Sequence, residues 1–139
     1  MITAESSGPV QEQPIVCDDD VVRVRQLVRA AAVATKLSLV DQTKLVTAAS
    51  ELARNTLIHG GGGHARVEPV TNGRRNGLRL VFTDQGPGIE DVDRAFADGY
   101  STGGGLGLGL SGARRLMDEF ELVTTIGQGT RVAAVKWER

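Results

Sequence analysis

Two rhythms divide the chain. Between residues 18 and 58 apolar positions recur every three or four residues, and from residue 65 a strand-like rhythm takes over, interrupted by two shorter helical stretches. Val24, Leu27, Val28 and Ala31 mark one face of a helix predicted over residues 18–36, with Asp18-Asp19-Asp20 offering an N-cap and negative charge at its start. Ser38, followed three residues later by Asp41, signals a second helix over 39–58. Its buried stripe is Leu45, Ala49, Leu52 and Thr56, and His59-Gly60-Gly61-Gly62-Gly63 stops it. Ile15 and Val16 make residues 13–17 a candidate short edge strand. Residues 1–11 are polar and contain glycine and proline; they are expected to be a disordered tail, ahead of a single domain over 12–139.

Residues 65–70 and 78–83 read as strands around a basic turn at Arg74 and Arg75, bracketed by Asn72-Gly73 and Asn76-Gly77. Asp84-Gln85-Gly86-Pro87-Gly88 ends the second strand abruptly. A short helix over 89–97 follows, with Val92 and Phe96 inward, then a glycine loop and a helix over about 108–120. Residues 122–126 and 130–137 form a hairpin around Gly127-Gln128-Gly129. Helices over one face of a mixed, mainly antiparallel sheet make an α/β two-layer sandwich.

Composition narrows the function classes. A chain of 139 residues is long enough for one domain with a real core. A formal net charge of −1 argues against a nucleic-acid surface or an acidic-membrane binder, and 4% aromatic residues leave little for a base-stacking platform. The single cysteine, Cys17, has no internal disulfide partner and is expected to be a small buried apolar residue. With no signal peptide and no long apolar run, the chain is expected to be cytoplasmic.

Three stretches carry chemistry. Ser101-Thr102-Gly103-Gly104-Gly105-Leu106-Gly107-Leu108-Gly109-Leu110 holds five of the 18 glycines and runs into a helical pattern. Such a run aims backbone N–H groups at one point, which is how backbone holds phosphate; the plain alternative is a flexible surface loop. Glu51 and Asn55 lie four apart on one helix face. An asparagine oxygen suits Mg²⁺, and a carboxylate one turn away could take a proton from an attacking hydroxyl; the alternative is a solvated face on which Glu51 pairs with Arg54. Asp84, at a strand end before Gly86 and Gly88, can accept from the exocyclic amine of adenine, or it can simply open an Asp-Gln-Gly-Pro-Gly turn. Thr130, after Gly129, either helps to fix the base or is an ordinary residue entering a strand.

In this order the stretches carry a family resemblance. Glu51-Leu52-Ala53-Arg54-Asn55-Thr56-Leu57-Ile58-His59-Gly60 resembles the N box of the GHKL ATP-binding superfamily. Asp84-Gln85-Gly86-Pro87-Gly88 resembles its first glycine box, and residues 103–109 its second. Within the superfamily the chain is similar to the small bacterial anti-sigma-factor serine/threonine kinases, and most of all to the switch kinases of the stressosome. Supporting stretches are Asp41-Gln42-Thr43, Asp98-Gly99-Tyr100-Ser101-Thr102 and Arg115-Leu116-Met117-Asp118-Glu119-Phe120; the resemblance spans roughly residues 13–136.

The resemblance implies a Bergerat-type fold with ATP and Mg²⁺ between helices and sheet. Asn55 would ligate Mg²⁺ and Glu51 would be the base on a substrate hydroxyl. Asp84 would bind the adenine amine, partly with Thr130 through water, while Gly86 and Gly88 line the base. Gly105, Gly107 and Gly109, with Gly103, Gly104, Leu106 and Leu108 in the same run, would hold the phosphates. The implied substrate is a serine or threonine of a STAS-domain antagonist protein, and a PP2C-type phosphatase is an implied partner, activated by binding. Residues 98–107 are expected to form a mobile lid that also shapes the partner surface.

Two other readings compete. One is an ATP-loaded switch that sequesters a sigma factor with little turnover; Glu51 favours the kinase, because a pure binding module needs no base. The other is a detached histidine-kinase catalytic domain, against which stand the short lid and the lack of an upstream helical hairpin bearing a phosphoacceptor histidine. One departure concerns charge. Residues 99–110 contain no Lys or Arg for the γ-phosphate, which leaves Arg114, Arg115, Arg54 or a partner to supply it. His59 and His64 have no neighbouring cysteine to complete a metal site, and His59 is expected at a helix C-terminus, where the dipole favours its cation.

Overall fold

The helical stretch forms α1 (Asp18–Ala34) and α2 (Leu39–Ile58) in a computed structural model that describes residues 4–96 and 109–139. The N-cap of α1 is Cys17, not one of the aspartates. Asp20 folds back and accepts from the backbone N–H groups of Val16 (2.8 Å) and Cys17 (3.3 Å), which the helix itself cannot satisfy. Cys17 is consequently exposed, with Sγ 3.6 Å from Asp20 Oδ2, and is not the buried apolar residue expected. α2 starts as its capping signal predicts, with Ser38 Oγ accepting from Asp41 N at 3.1 Å. Leu45, Ala49, Leu52 and Thr56 are all buried.

The sheet contains β1 (Glu5–Ser6), β2 (Gln11–Ile15), β3 (Gly63–Thr71), β4 (Asn76–Asp84), β5 (Glu119–Thr125) and β6 (Gly129–Trp137). Its order is β1-β3-β4-β6-β5, with β2 also on β3, and every pairing among the described residues is antiparallel. β1 lies in the segment expected to be a tail, where Glu5 and Ser6 pair with Thr71 and Val70. In the β3–β4 turn, Asn72 Oδ1 accepts from the N–H groups of Arg74 (2.9 Å) and Arg75 (2.8 Å). Alternation sends Ala65, Val67, Leu78, Leu80, Phe82, Val132 and Ala134 into one core with Val24 and Val28 of α1 and Leu45 and Leu52 of α2. Val70, Val135 and Trp137 form a smaller cluster with Ala4 on the other face.

Between β4 and β5 lie α3 (Val92–Ala95), a single turn, and α4 (Gly109–Leu116). Phe96 packs against the core and meets Phe120 edge-on, with ring centroids 5.8 Å apart. α4 stops four residues short of the predicted end. Asp118 is claimed by the sheet instead: its N–H donates to Val135 O (2.9 Å) and its Oδ2 accepts from Trp137 N (2.8 Å), which starts β5 at Glu119. Residues 97–108 lie outside the described residues. The expectations for Gly103, Gly104, Gly105, Leu106, Gly107, Leu108 and the 98–107 lid fall there. Among the described residues no helix is long and apolar enough to cross a membrane.

Candidate active site

Register places the candidate base-binding pair. Asp84, the last residue of β4, stands opposite Thr130 of β6, so both side chains occupy the face that carries Phe82 and Val132 beneath the helices. Asp84 Oδ1 accepts from Gly86 N at 2.9 Å, which orients the carboxylate at the strand end. Thr130 is buried, and its hydroxyl lies 2.9 Å from the Thr124 hydroxyl of β5. Thr124 Oγ1 also accepts from Ile89 N at 2.9 Å and lies 3.3 Å from Gly129 O, so one side chain ties the residue just after Gly88 to Thr130. Nothing in the sequence singled out Thr124. Two of its partners sit across the predicted hairpin, but Ile89 is thirty-five residues away, beyond the reach of a local pattern.

Glycines make this corner tight. Gly60, just past the C-cap of α2, leaves no room for a side chain: a Cβ there would stand 2.5 Å from Asp84 Oδ2 and 2.6 Å from Asp84 Cβ. A Cβ on Gly86 would stand 2.7 Å from Gly60 O, and one on Gly129 would overlap the Asp84 carbonyl oxygen. Gly88 has φ +80°, and a Cβ there would meet Thr125 O at 2.6 Å. Gly60 lies in the N-box stretch but was not among the predicted site residues; its contact with Asp84 crosses from α2 to β4 and appears only once the chain is folded. Beside the same corner an open cleft of about 370 Å³ is lined by Gly60 to Gly63, His64, Thr83, Asp84 and Gln85.

α2 brings the other predicted residues to this end of the sheet. Asn55 O accepts from His59 N (2.9 Å) and Gly60 N (3.2 Å), so the turn that carries Asn55 is bonded directly to the glycine against Asp84. His59 is the C-cap of α2, as expected. Glu51 lies one turn before Asn55, its side chain 19% exposed, with Oε1 4.0 Å from Arg54 Nη1. At that distance the pair is a loose ion contact, not a hydrogen bond. α4 begins at Gly109, the last residue of the second glycine box, and packs on α2. Of the other two cations considered for the γ-phosphate, Arg114 stacks on the Phe96 ring at 4.1 Å, and Arg115 Nη2 donates to Ser111 Oγ at 3.1 Å. Among the described residues no group of three His, Cys, Asp or Glu side chains could hold a metal unaided. A lone asparagine oxygen fits an ion that draws its remaining ligands from nucleotide phosphates and water.

Fold and corner together define a class. Residues 40–138 match the family of histidine kinase-, DNA gyrase B- and HSP90-like ATPases, and the chain belongs to that family. Among individual relatives, it is 46% identical over 125 residues to the serine/threonine-protein kinase RsbT of Bacillus subtilis (strain 168), covering 90% of this chain and 94% of that one. It is also 32% identical over 105 residues to an anti-sigma F factor of Clostridium kluyveri, covering 71% and 72% of the two chains. In three dimensions it resembles the structure of the RsbU and RsbW domains of Rv1364c from Mycobacterium tuberculosis. The TM-score is 0.67 at 18% identity, over 95% of this chain and 33% of that one, a likeness of fold.

Proposed function

We propose that the chain is a serine/threonine protein kinase of a partner-switching pathway, transferring the γ-phosphoryl group of ATP to a serine or threonine of a STAS-domain protein. The observation that carries this reading is the junction of α2 with Asp84 through Gly60, which joins the Asp84 corner to the part of α2 bearing Glu51 and Asn55. The extensive identity to a serine/threonine-protein kinase supports it.

Asp84 accepts from the adenine amine while Thr130, steadied by Thr124, borders the base. Glu51 takes the proton of the attacking hydroxyl as the P–O bond to the new acceptor forms and the bond to the ADP oxygen breaks. Asn55 would hold Mg²⁺, which neutralises charge on the β- and γ-phosphates when nucleotide is bound. Gly109 and the preceding glycines of the second box would hold the phosphates through backbone N–H groups. Arg54, beside Glu51 with its side chain 45% exposed, is a cation available to that end of the site.

A second reading, a binding switch that holds a sigma factor or a PP2C-type phosphatase, draws on the anti-sigma F factor relatives. Incubation with γ-labelled ATP and candidate STAS-domain proteins separates the two. Label on a STAS serine or threonine, lost in Glu51→Gln, supports the kinase. ATP-dependent capture of a sigma factor without label transfer supports the switch.

A further inference from the structure

Two stretches that support the family resemblance lie well away from Glu51, Asn55 and Asp84 along their elements: Asp41 in the first turn of α2, and Asp118 just past α4. They meet at one buried cation. Lys136 lies on the helix-facing side of β6 and is 3% exposed. Its Nζ donates to Leu116 O, the last carbonyl of α4, at 3.0 Å, and stands 3.7 Å from both Asp41 Oδ1 and Asp118 Oδ1. Arg139 closes the group from outside, with Nη2 2.6 Å from Asp118 Oδ1 and Nε 3.8 Å from Asp41 Oδ2. A buried lysine is rare unless paired, and breaking such a pair leaves a charge uncompensated.

Placement gives this group its meaning. Glu51 is ten residues along α2 from Asp41, about 15 Å at the helical rise. α4 runs back from Leu116 to Gly109, about 12 Å for its eight residues. Lys136 therefore fastens the end of α4 remote from the glycine box, while the other end carries Gly109. We propose that Lys136, with Asp41 and Asp118, is a positioning group that sets α4 on α2, and so sets Gly109 relative to Asn55 and Asp84. It touches neither substrate nor metal. The proposal rests on the nucleotide reading above: Asp84 holds the base, and the Gly109 end holds phosphates.

The consequence is selective. Loosening α4 moves the phosphate end and spares the base corner, which is built from β4, β6 and the end of α2. Lys136→Met keeps the stem and removes the charge. Mg-ATP affinity should fall on the order of tenfold or more, against the roughly 10²-fold in rate that a misplacement of about 1 Å can cost. Adenosine affinity should stay at the wild-type value. Val70→Ala, in the small cluster on the opposite sheet face, is the control for general destabilisation and should leave the ATP-to-adenosine ratio unchanged. If Lys136→Met does not fold, Asp118→Asn, which removes one of the two carboxylate charges, is measured in its place and should lower the ratio in the same direction. Calorimetry for ATP and NMR titration for adenosine provide the two affinities. A ratio that stays at the wild-type value, or that falls equally in Val70→Ala, overturns the positioning role. Wild-type protein that binds neither ligand overturns the nucleotide reading itself and the inference with it.

Discussion

Gly60→Ala is the substitution for which the structure specifies a cost most closely. The new methyl would stand 2.5 Å from Asp84 Oδ2 and 2.6 Å from Asp84 Cβ, where 3.4 Å is ordinary contact. Gly60 cannot easily retreat, because its backbone already abuts Gly86: a Cβ on that glycine would be 2.7 Å from Gly60 O. The carboxylate must then move by about 0.9 Å, which breaks the 2.9 Å bond from Gly86 N and, on the proposed reading, shifts the acceptor for adenine. Overpacking of this kind costs about 1–3 kcal/mol of stability. Leaving the base amine unpaired costs a further 1–3 kcal/mol or so in binding, roughly a 5- to 150-fold weaker Kd. Thermal unfolding and calorimetric titration with Mg-ATP, well below the midpoint, measure the two separately. A folded Gly60→Ala protein with wild-type ATP affinity would refute the claim that Gly60 and Asp84 form one site wall.

Glu51→Gln should retain nucleotide affinity and lose about 10²–10⁴-fold in phosphoryl transfer, read from single-turnover labelling of a STAS-domain protein; a normal rate would return Glu51 to a solvated face with Arg54. Thr124→Val removes the acceptor for Ile89 N and the partner of Thr130, and should cost about 1–3 kcal/mol in denaturant unfolding and weaken ATP binding by a smaller factor. Acid should destabilise the fold through three carboxyls held below their ordinary values. Hydrogen bonding from Val16 N, with Arg23, lowers Asp20; for Glu68 and Asp118 burial acts upward but is outweighed, by Arg79 for Glu68 and by Trp137 N, Arg139 and Lys136 for Asp118. A depressed carboxyl stabilises fully above its unfolded pKa, near 4, and that contribution disappears as pH falls through the lower folded value. Stability measured by denaturant should therefore be nearly flat from about pH 5.5 to 7.5 and drop below about pH 4, more shallowly in Asp118→Asn.

Local signals made the helical layer legible. The Ser38 cap, the stripe through Leu45, Ala49, Leu52 and Thr56, and the glycine stop after His59 are all sequence-near, and they place α2 within a residue of its ends. Strand alternation likewise located β3, β4 and β6, and the two glycines that follow Asp84 marked its turn. What the sequence did not reveal depends on distant partners. The helical pattern runs on through Phe120, yet Asp118 bonds residues 17 and 19 positions away in β6 and ends α4 early. Residues 5–6 look like tail until Thr71 and Val70 provide an edge to pair with. Gly60 and Thr124 complete the candidate site through contacts across elements, and the partners of Lys136 in α2 and at the end of α4 are likewise distant in sequence.

Asp84→Asn probes the ATP site most directly. Wild-type protein and the variant are titrated calorimetrically with Mg-ATP and with Mg-GTP, whose guanine presents an acceptor where adenine presents its amine. The wild type should bind ATP well ahead of GTP, and the variant should lose about tenfold or more of its ATP affinity together with that preference, because an amide that turns its donor toward the amine leaves both unpaired. Equal ATP affinity in the two proteins, with the ATP preference intact, would contradict the assignment of Asp84 as the residue that reads the base.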